Sequence, residues 1–236
     1  MTQYANLFST SFNLGYLESH LDKVLSICQA YSFQLFIESM QNIDTKTKIL
    51  LTAIELFSTK GFDKTTATLI AAKCDISQAS VFYHFKNKMV LFEATLDYII
   101  SNNKDVFEHY EHAKNEEPVD KLIRLLEANI RWTYKFPEQA KIIIMLFNFS
   151  TWDENFTKLS TRTIENGKNK VLSLLNEISE KRTIKSALDN EKLAMIIQQY
   201  INGVIFQILA HKERAKIKSS FKKSITPFIH ELIGYN

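Results

Sequence analysis

A chain of 236 residues, 45% apolar and 23% charged, has the composition of a globular protein with a buried core, long enough for one large domain or two modest ones. Two cysteines, Cys28 and Cys74, make no disulfide framework, which points to a reduced, cytoplasmic setting. The formal net charge of +3 is slight but concentrated, since Ile43 to Val90 holds seven lysines against four acids; this excess could neutralise phosphates or simply form a solvated face.

Residues 1–42 open with polar sequence and then place Leu14, Leu17, Leu21, Val24, Cys28, Tyr31 and Leu35 at helical spacing, with Phe33, Phe36, Ile37 and Met40 broadening the stripe. Such an amphipathic helix must pack on the body of the chain, a second copy or a partner. A membrane surface fits less well, because the polar face sets Lys23 against Glu18, Asp22 and Glu38. Met40 is an alternative start of the chain.

A helix over Thr45 to Lys60 follows, with Ile49, Leu50, Ala53, Ile54, Leu56 and Phe57 inward. Gly61 ends it through positive φ, and Phe62 folds back on the core. Thr65 or Thr66 then caps a short helix carrying Leu69 to Ala71. Cys74-Asp75-Ile76-Ser77 forms a tight turn with Ser77 as N-cap, and Gln78 to His84 is a second short helix with a small, polar outer face. Two short helices joined this way have helix-turn-helix geometry, in which the second helix enters the DNA major groove.

From Asn87, a further N-cap, the pattern stays helical. Val90, Leu91, Ala94, Leu96, Ile99 and Ile100 mark a long connecting helix, and polar Glu108 to Glu117 reads as a loop or a fraying end. Pro118 opens a helix with Leu122, Leu125, Leu126 and Ile130 on its stripe. Pro137 stops that helix and opens another, whose β-branched run Ile142 to Phe147 is read as buried helix because no partner strand is visible. A long amphipathic helix runs from about Asp153 to Lys181. Asp189 caps the next, with Leu193, Ile196, Ile197, Tyr200, Ile201, Val204, Ile205 and Ile208 on more than one face. The last carries Ile217, Phe221, Ile225, Phe228, Ile229 and Leu232, and Pro227 should kink it or delay its start. The fold class is all-α.

No run of apolar residues reaches the roughly 18 of a membrane span, and no basic stretch leads into an apolar one, so neither a span nor a signal peptide is expected. His109 and His112, with Glu108 and Glu111, could hold a surface metal, but a solvated polar face accounts for them as well. No phosphate loop, nucleophile elbow or Cys-His pattern is present, so neither an enzyme nor a cofactor is expected.

Between Thr47 and Phe92, the set Ile49-Leu50, Ala53, Leu56-Phe57, Gly61, Thr66, Ile70-Ala71, Ile76-Ser77, Tyr83-His84-Phe85, Lys88 and Leu91 resembles the DNA-binding domain of the tetracycline-repressor (TetR) family. From residue 91 onward the likeness is one of size and layout. The resemblance implies an N-terminal extension over 1–42, a three-helix DNA-binding domain over 43–90, and an effector-binding and dimerisation domain over 91–236. It implies a homodimer formed through the last two helices, bound to a double-stranded DNA operator and released by a small molecule. By position, Gln78, Ser80 and Tyr83 face bases or backbone, while Thr66, Ser77, His84 and Lys88 contact phosphates; Lys48, Ala79 and Phe82 complete the DNA-facing set. Asp75 stands where the family usually has Gly, Ala79 where it often has Gly or another small residue, and Phe82 where it usually has Tyr, whose hydroxyl is a phosphate donor. A second reading stays open: a helical interaction protein that keeps the fold, has weak or no operator binding and acts through its N-terminal helix.

Aromatic residues gather between Trp132 and Phe156. Trp132, Phe136, Phe147, Trp152 and Phe156, with Asn148 and Asn155 as polar anchors, could line an apolar effector pocket or be ordinary core. Two Trp would suit a cation, but no acid interrupts the apolar runs, which favours a hydrophobic or acyl-like effector.

Overall fold

Helix follows helix as the apolar spacing dictates. A computed structural model describes residues 43–103, 116–181 and 184–234, which form nine α-helices and no strand among the described residues. The amphipathic segment of residues 1–42 and the His109/His112 pair lie outside them. The helices are α1 (Thr45–Lys60), α2 (Ala67–Cys74), α3 (Gln78–His84), α4 (Lys88–Asn102), α5 (Pro118–Lys135), α6 (Pro137–Phe149), α7 (Glu154–Lys181), α8 (Asn190–Ala210) and α9 (Arg214–Ile233).

The chain divides into two compact units, Met1–Lys48 and Ile49–Asn236. In the first, Asp44 stands before α1 and accepts the Thr47 amide at 3.1 Å and the Thr47 hydroxyl at 2.6 Å. Those bonds stabilise the charged form and hold the carboxyl below its ordinary range.

In the second unit, Ile49, Ala53 and Phe57 of α1 are fully buried, and Ile70, Val81, Leu91 and Phe92 close round them from α2, α3 and α4. Gly61 takes φ +84° at the end of α1, and Phe62 turns back on the core, its ring 5.0 Å from Phe156. Pro118 and Pro137 sit at the first turns of α5 and α6, where a missing N–H costs no helical bond. Helix α5 touches α6, α7, α8 and α9, so it is the centre of the C-terminal bundle. Asp189 caps α8 by accepting the Lys192 amide and ammonium, both at 2.8 Å, and the ammonium bond leads in holding its carboxyl below the ordinary range.

Of the two outcomes expected of Pro227, one is excluded. Pro227 does not delay α9, which starts at Arg214 and has Pro227 inside it; Pro227 and Lys223, whose carbonyl loses its helical donor, are both exposed, so that carbonyl is open to solvation. Among the described residues, one helix is long and apolar enough, by length and composition, to cross a membrane. This is α8, of mean hydropathy 1.5, although Leu193, Ala194, Ile197, Ile201, Val204, Ile205 and Ile208 are buried within the bundle.

Candidate nucleic-acid interface and interior cavity

The helix-turn-helix is built from caps. Thr66 Oγ1 accepts the Leu69 amide at 3.2 Å and starts α2. Neighbouring Thr65 is buried and donates to the Gly61 carbonyl at 2.8 Å. Helix α2 ends in a Schellman arrangement, in which the Ile76 amide reaches the Ala71 carbonyl at 3.1 Å and the Asp75 amide reaches that of Ala72 at 3.4 Å. This requires a left-handed residue, and Asp75 supplies it at φ 53°, ψ 48°. Replacing Asp75 with Gly should therefore stabilise the protein by up to about 1 kcal/mol, because Gly takes positive φ without a Cβ clash. Urea unfolding checks this, and a lower midpoint for the Gly variant would contradict the turn geometry.

Ser77 Oγ accepts the Ser80 amide at 3.1 Å and caps α3, which leaves its own hydroxyl proton available. Val81 and Phe85 face the core. Gln78 and Ala79 are exposed, Phe82 is 47% exposed and Tyr83 85%, while Ser80 and His84 are half-buried. The His84 ring meets that of Tyr83 edge-on, with centroids 5.2 Å apart. Asn87 caps α4 by accepting the Val90 amide at 2.9 Å. The Lys88 ammonium donates to the carbonyls of Phe62, at 3.0 Å, and Asp63, at 3.2 Å, and stands 4.4 Å from the Phe62 ring centroid. It fastens the α1–α2 loop to the start of α4. Lys73 pairs with Glu55 of α1. Lys48, half-buried, lies in the first turn of α1.

A second feature lies inside the C-terminal bundle. A cavity of about 170 Å³ opens among five helices, with room for on the order of ten water molecules. Ile99 and Ile100 of α4 and its C-cap Asn103 wall it on one side, Leu125, Leu126, Asn129 and Trp132 from α5, and Ile143 and Phe147 from α6. Thr163, Asn166, Gly167, Lys170 and Val171 come from α7, and Gln198, Ile201, Asn202 and Ile205 from α8. Its apolar floor is buried, whereas Ile100, Asn166 and Lys170 are exposed at its mouth. The amides are ordered: Gln139 Oε1 accepts from both Asn103 and the Trp132 indole at 3.1 Å, and Gln198 donates to Asn202 at 3.2 Å. Gly167 lets the Gln198 amide lie against α7, since a Cβ there would stand 2.6 Å from Gln198 Oε1. No carboxylate lines the cavity among the described residues.

Residues 49–95 match the family model described as bacterial regulatory proteins, tetR family. Residues 49–95 are a TetR-family DNA-binding domain. It is 25% identical over 170 residues to the uncharacterized HTH-type transcriptional regulator YerO of Bacillus subtilis, covering 69% of this chain but only 57% of that protein. It is 27% identical over 178 residues to IcaR of Staphylococcus aureus, named as a negative transcriptional regulator of the biofilm operon icaADBC, covering 75% of this chain and 86% of that one. The fold recurs in a TetR transcription regulator from Haloarcula marismortui, at TM-score 0.68 and 17% identity over 80% of this chain and 97% of that one. It recurs also in a transcriptional regulator from Saccharomonospora viridis in complex with choline, at TM-score 0.64 and 19% identity over 81% and 96%. These relatives are named as transcriptional regulators, and the chain shares with the family its DNA-binding domain.

Beyond that domain, the residues singled out as pocket candidates separate. Trp132 and Phe147 line the cavity. Phe156 joins Phe57, Phe62, Phe92 and Phe149 in a cluster of five phenyl rings. Phe136 caps the junction of α5 and α6, its ring 5.2 Å from the Lys135 ammonium. Asn148 and Trp152 are exposed, Trp152 at 77%. The cavity residues that sequence reasoning passed over include polar ones, among them Asn103, Asn129, Thr163, Gln198 and Asn202. Their signal was an amide interrupting an apolar stripe, as Asn129 does beside Ile130 and Asn202 beside Ile201.

Proposed function

We propose that this regulator is a dimeric, cytoplasmic repressor released from its operator when a small, largely apolar molecule enters the cavity. The observation that carries the reading is the double position of α4. Its first turn follows directly on the helix-turn-helix, and its last turn and C-cap wall the cavity through Ile99, Ile100 and Asn103. Helix α7 grips the same helix from outside, where Arg162 reaches Glu93 at 3.2 Å and Asp97 at 2.9 Å, one residue before cavity-lining Thr163. A ligand that favours one spacing of α4 and α7 biases the placement of α3, and its effect on DNA affinity equals its differential affinity for the two arrangements. The acid-free lining supports an apolar or acyl-like ligand over a cation, so the choline held by the Saccharomonospora protein is not carried over. The test is a screen of medium-chain fatty acids and small aromatics by thermal shift, followed by operator binding with each hit. Hits that raise the melting temperature and weaken operator binding support the reading; hits that leave operator affinity unchanged contradict it.

The outer faces of α8 and α9 support the dimer. Met195 and Phe206 of α8 are more than half exposed, and Phe221 and Phe228 of α9 are half-buried. Gly203 lies between them in mid-helix, where an added Cβ would meet nothing within 4 Å. A mid-helix Gly costs roughly 1 kcal/mol relative to Ala, a cost that the close approach of a second copy's helix would offset. Replacing Phe206 with Glu should remove about 2 kcal/mol from each half of a symmetric interface and raise the dimer dissociation constant roughly a thousandfold. Sedimentation velocity decides, and an unchanged dimer would place the interface elsewhere.

A further inference from the structure

We propose that the regulator reads A·T base pairs at the heart of each operator half-site, through a recognition helix without Arg, Lys or a carboxylate; this rests on the operator reading above. Helix α3, QASVFYH, carries no Arg, Lys, Asp or Glu. The commonest way to specify guanine is an Arg or Lys fork on O6 and N7, and cytosine is read by a carboxylate on its N4 amine. Neither tool is present on α3. What it does expose suits the other pair. The Gln78 amide can bond adenine N6 and N7 together, and Ala79 and Phe82 offer apolar surface to the thymine methyl. Phe82 is well placed for this, since its outer half is exposed while its inner half roofs a hollow of about 100 Å³ lined by Ala67, Ile70 and Leu91. Tyr83, 85% exposed, adds a second ring with a hydroxyl at its tip.

The nearby cations do not supply the missing fork. Lys73 is paired with Glu55, and Lys88 is tied to the Phe62 and Asp63 carbonyls. Lys60, Lys64 and Lys86 are exposed, but in the segments that flank the short helices, where they suit phosphates and add affinity without sequence information. Charge and readout are therefore carried by different residues. Affinity comes from lysines around the motif, and sequence choice from the amide and apolar groups that α3 exposes.

Selecting bound duplexes from a random pool with the full chain tests this. The most constrained positions of the enriched site should be A or T. Uracil in place of thymine, which deletes only the 5-methyl, should weaken binding about fourfold at the position under Ala79 or Phe82. A 7-deazaadenine opposite Gln78 should cost about tenfold, and Gln78→Ala should erase that difference. Replacing guanines with 7-deazaguanine should change little. A site whose constrained positions are guanines, or a tenfold loss on 7-deazaguanine, overturns the inference while leaving the operator reading intact. A pool that yields no enriched sequence overturns both.

Discussion

Replacing Phe156 with Ala is expected to destabilise the protein by about 3–5 kcal/mol, the range for truncating a buried phenyl. The ring is 2% exposed and lies 5.0 Å from Phe62, 5.0 Å from Phe92 and 5.1 Å from Phe149, centroid to centroid. These rings come from the α1–α2 loop, α4, α6 and α7, so one side chain fastens the DNA-binding helices to the C-terminal bundle. Lost with it are transfer free energy, ring-edge attraction and the packing of three neighbours that cannot collapse together without moving helices. Against a total stability of roughly 5–15 kcal/mol, the loss should lower the melting temperature by roughly 10 °C. Phe156→Leu, which keeps most of the volume, should lose far less. Calorimetry of both variants checks the pair, and an Ala variant within about 1 kcal/mol of the parent would contradict the cluster's role.

Replacing Val171 with Phe should abolish the response to ligand while sparing the fold and the DNA affinity. Val171 is 2% exposed on α7 and lines the cavity. A phenyl ring forced into a filled core costs about 1–3 kcal/mol, but here open volume receives it, so the cost should fall below that. In the parent, a ligand at a hundred times its dissociation constant adds about 2.7 kcal/mol of stability, or roughly 5–10 °C for a chain of this size. In the variant that shift should shrink below about 1 °C, while operator affinity in the absence of ligand stays at the parental value. Trp132 in the cavity wall gives a second readout, because its fluorescence should respond to ligand only in the parent. A full ligand shift in the Phe variant would move the binding site elsewhere.

The local architecture was legible in the sequence because it is set by short-range chemistry. Thr66, Ser77, Asn87 and Asp189 each cap the helix expected of them. Gly61 and Asp75 take the left-handed conformations that the helix ends demand. The interior was less legible, because a residue's neighbours in sequence point in different directions. Trp132, Phe147, Phe149, Trp152 and Phe156 look like one aromatic group, yet residues 147 and 149 lie about 200° apart round a helix. Phe147 faces the cavity and Phe149 the phenyl cluster, while Trp152, in the turn after α6, faces solvent. The cavity draws on five helices, and each contributes residues that read as core on their own. Lys88 escaped for a similar reason: its acceptors are two backbone carbonyls some 25 residues earlier, brought to it by the fold of a loop.

The most direct test of the account is retention of DNA by the full chain at rising salt, parent against the Gln78→Ala, Tyr83→Ala double variant. The parent should shift a duplex from its own upstream region selectively over scrambled duplex. Its affinity should fall steeply with salt as lysine–phosphate contacts are screened. The double variant should keep the salt dependence and lose the preference between sequences. Equal binding of the upstream and scrambled duplexes by the parent at low salt would contradict the account and leave a helical interaction protein that keeps the fold without reading DNA.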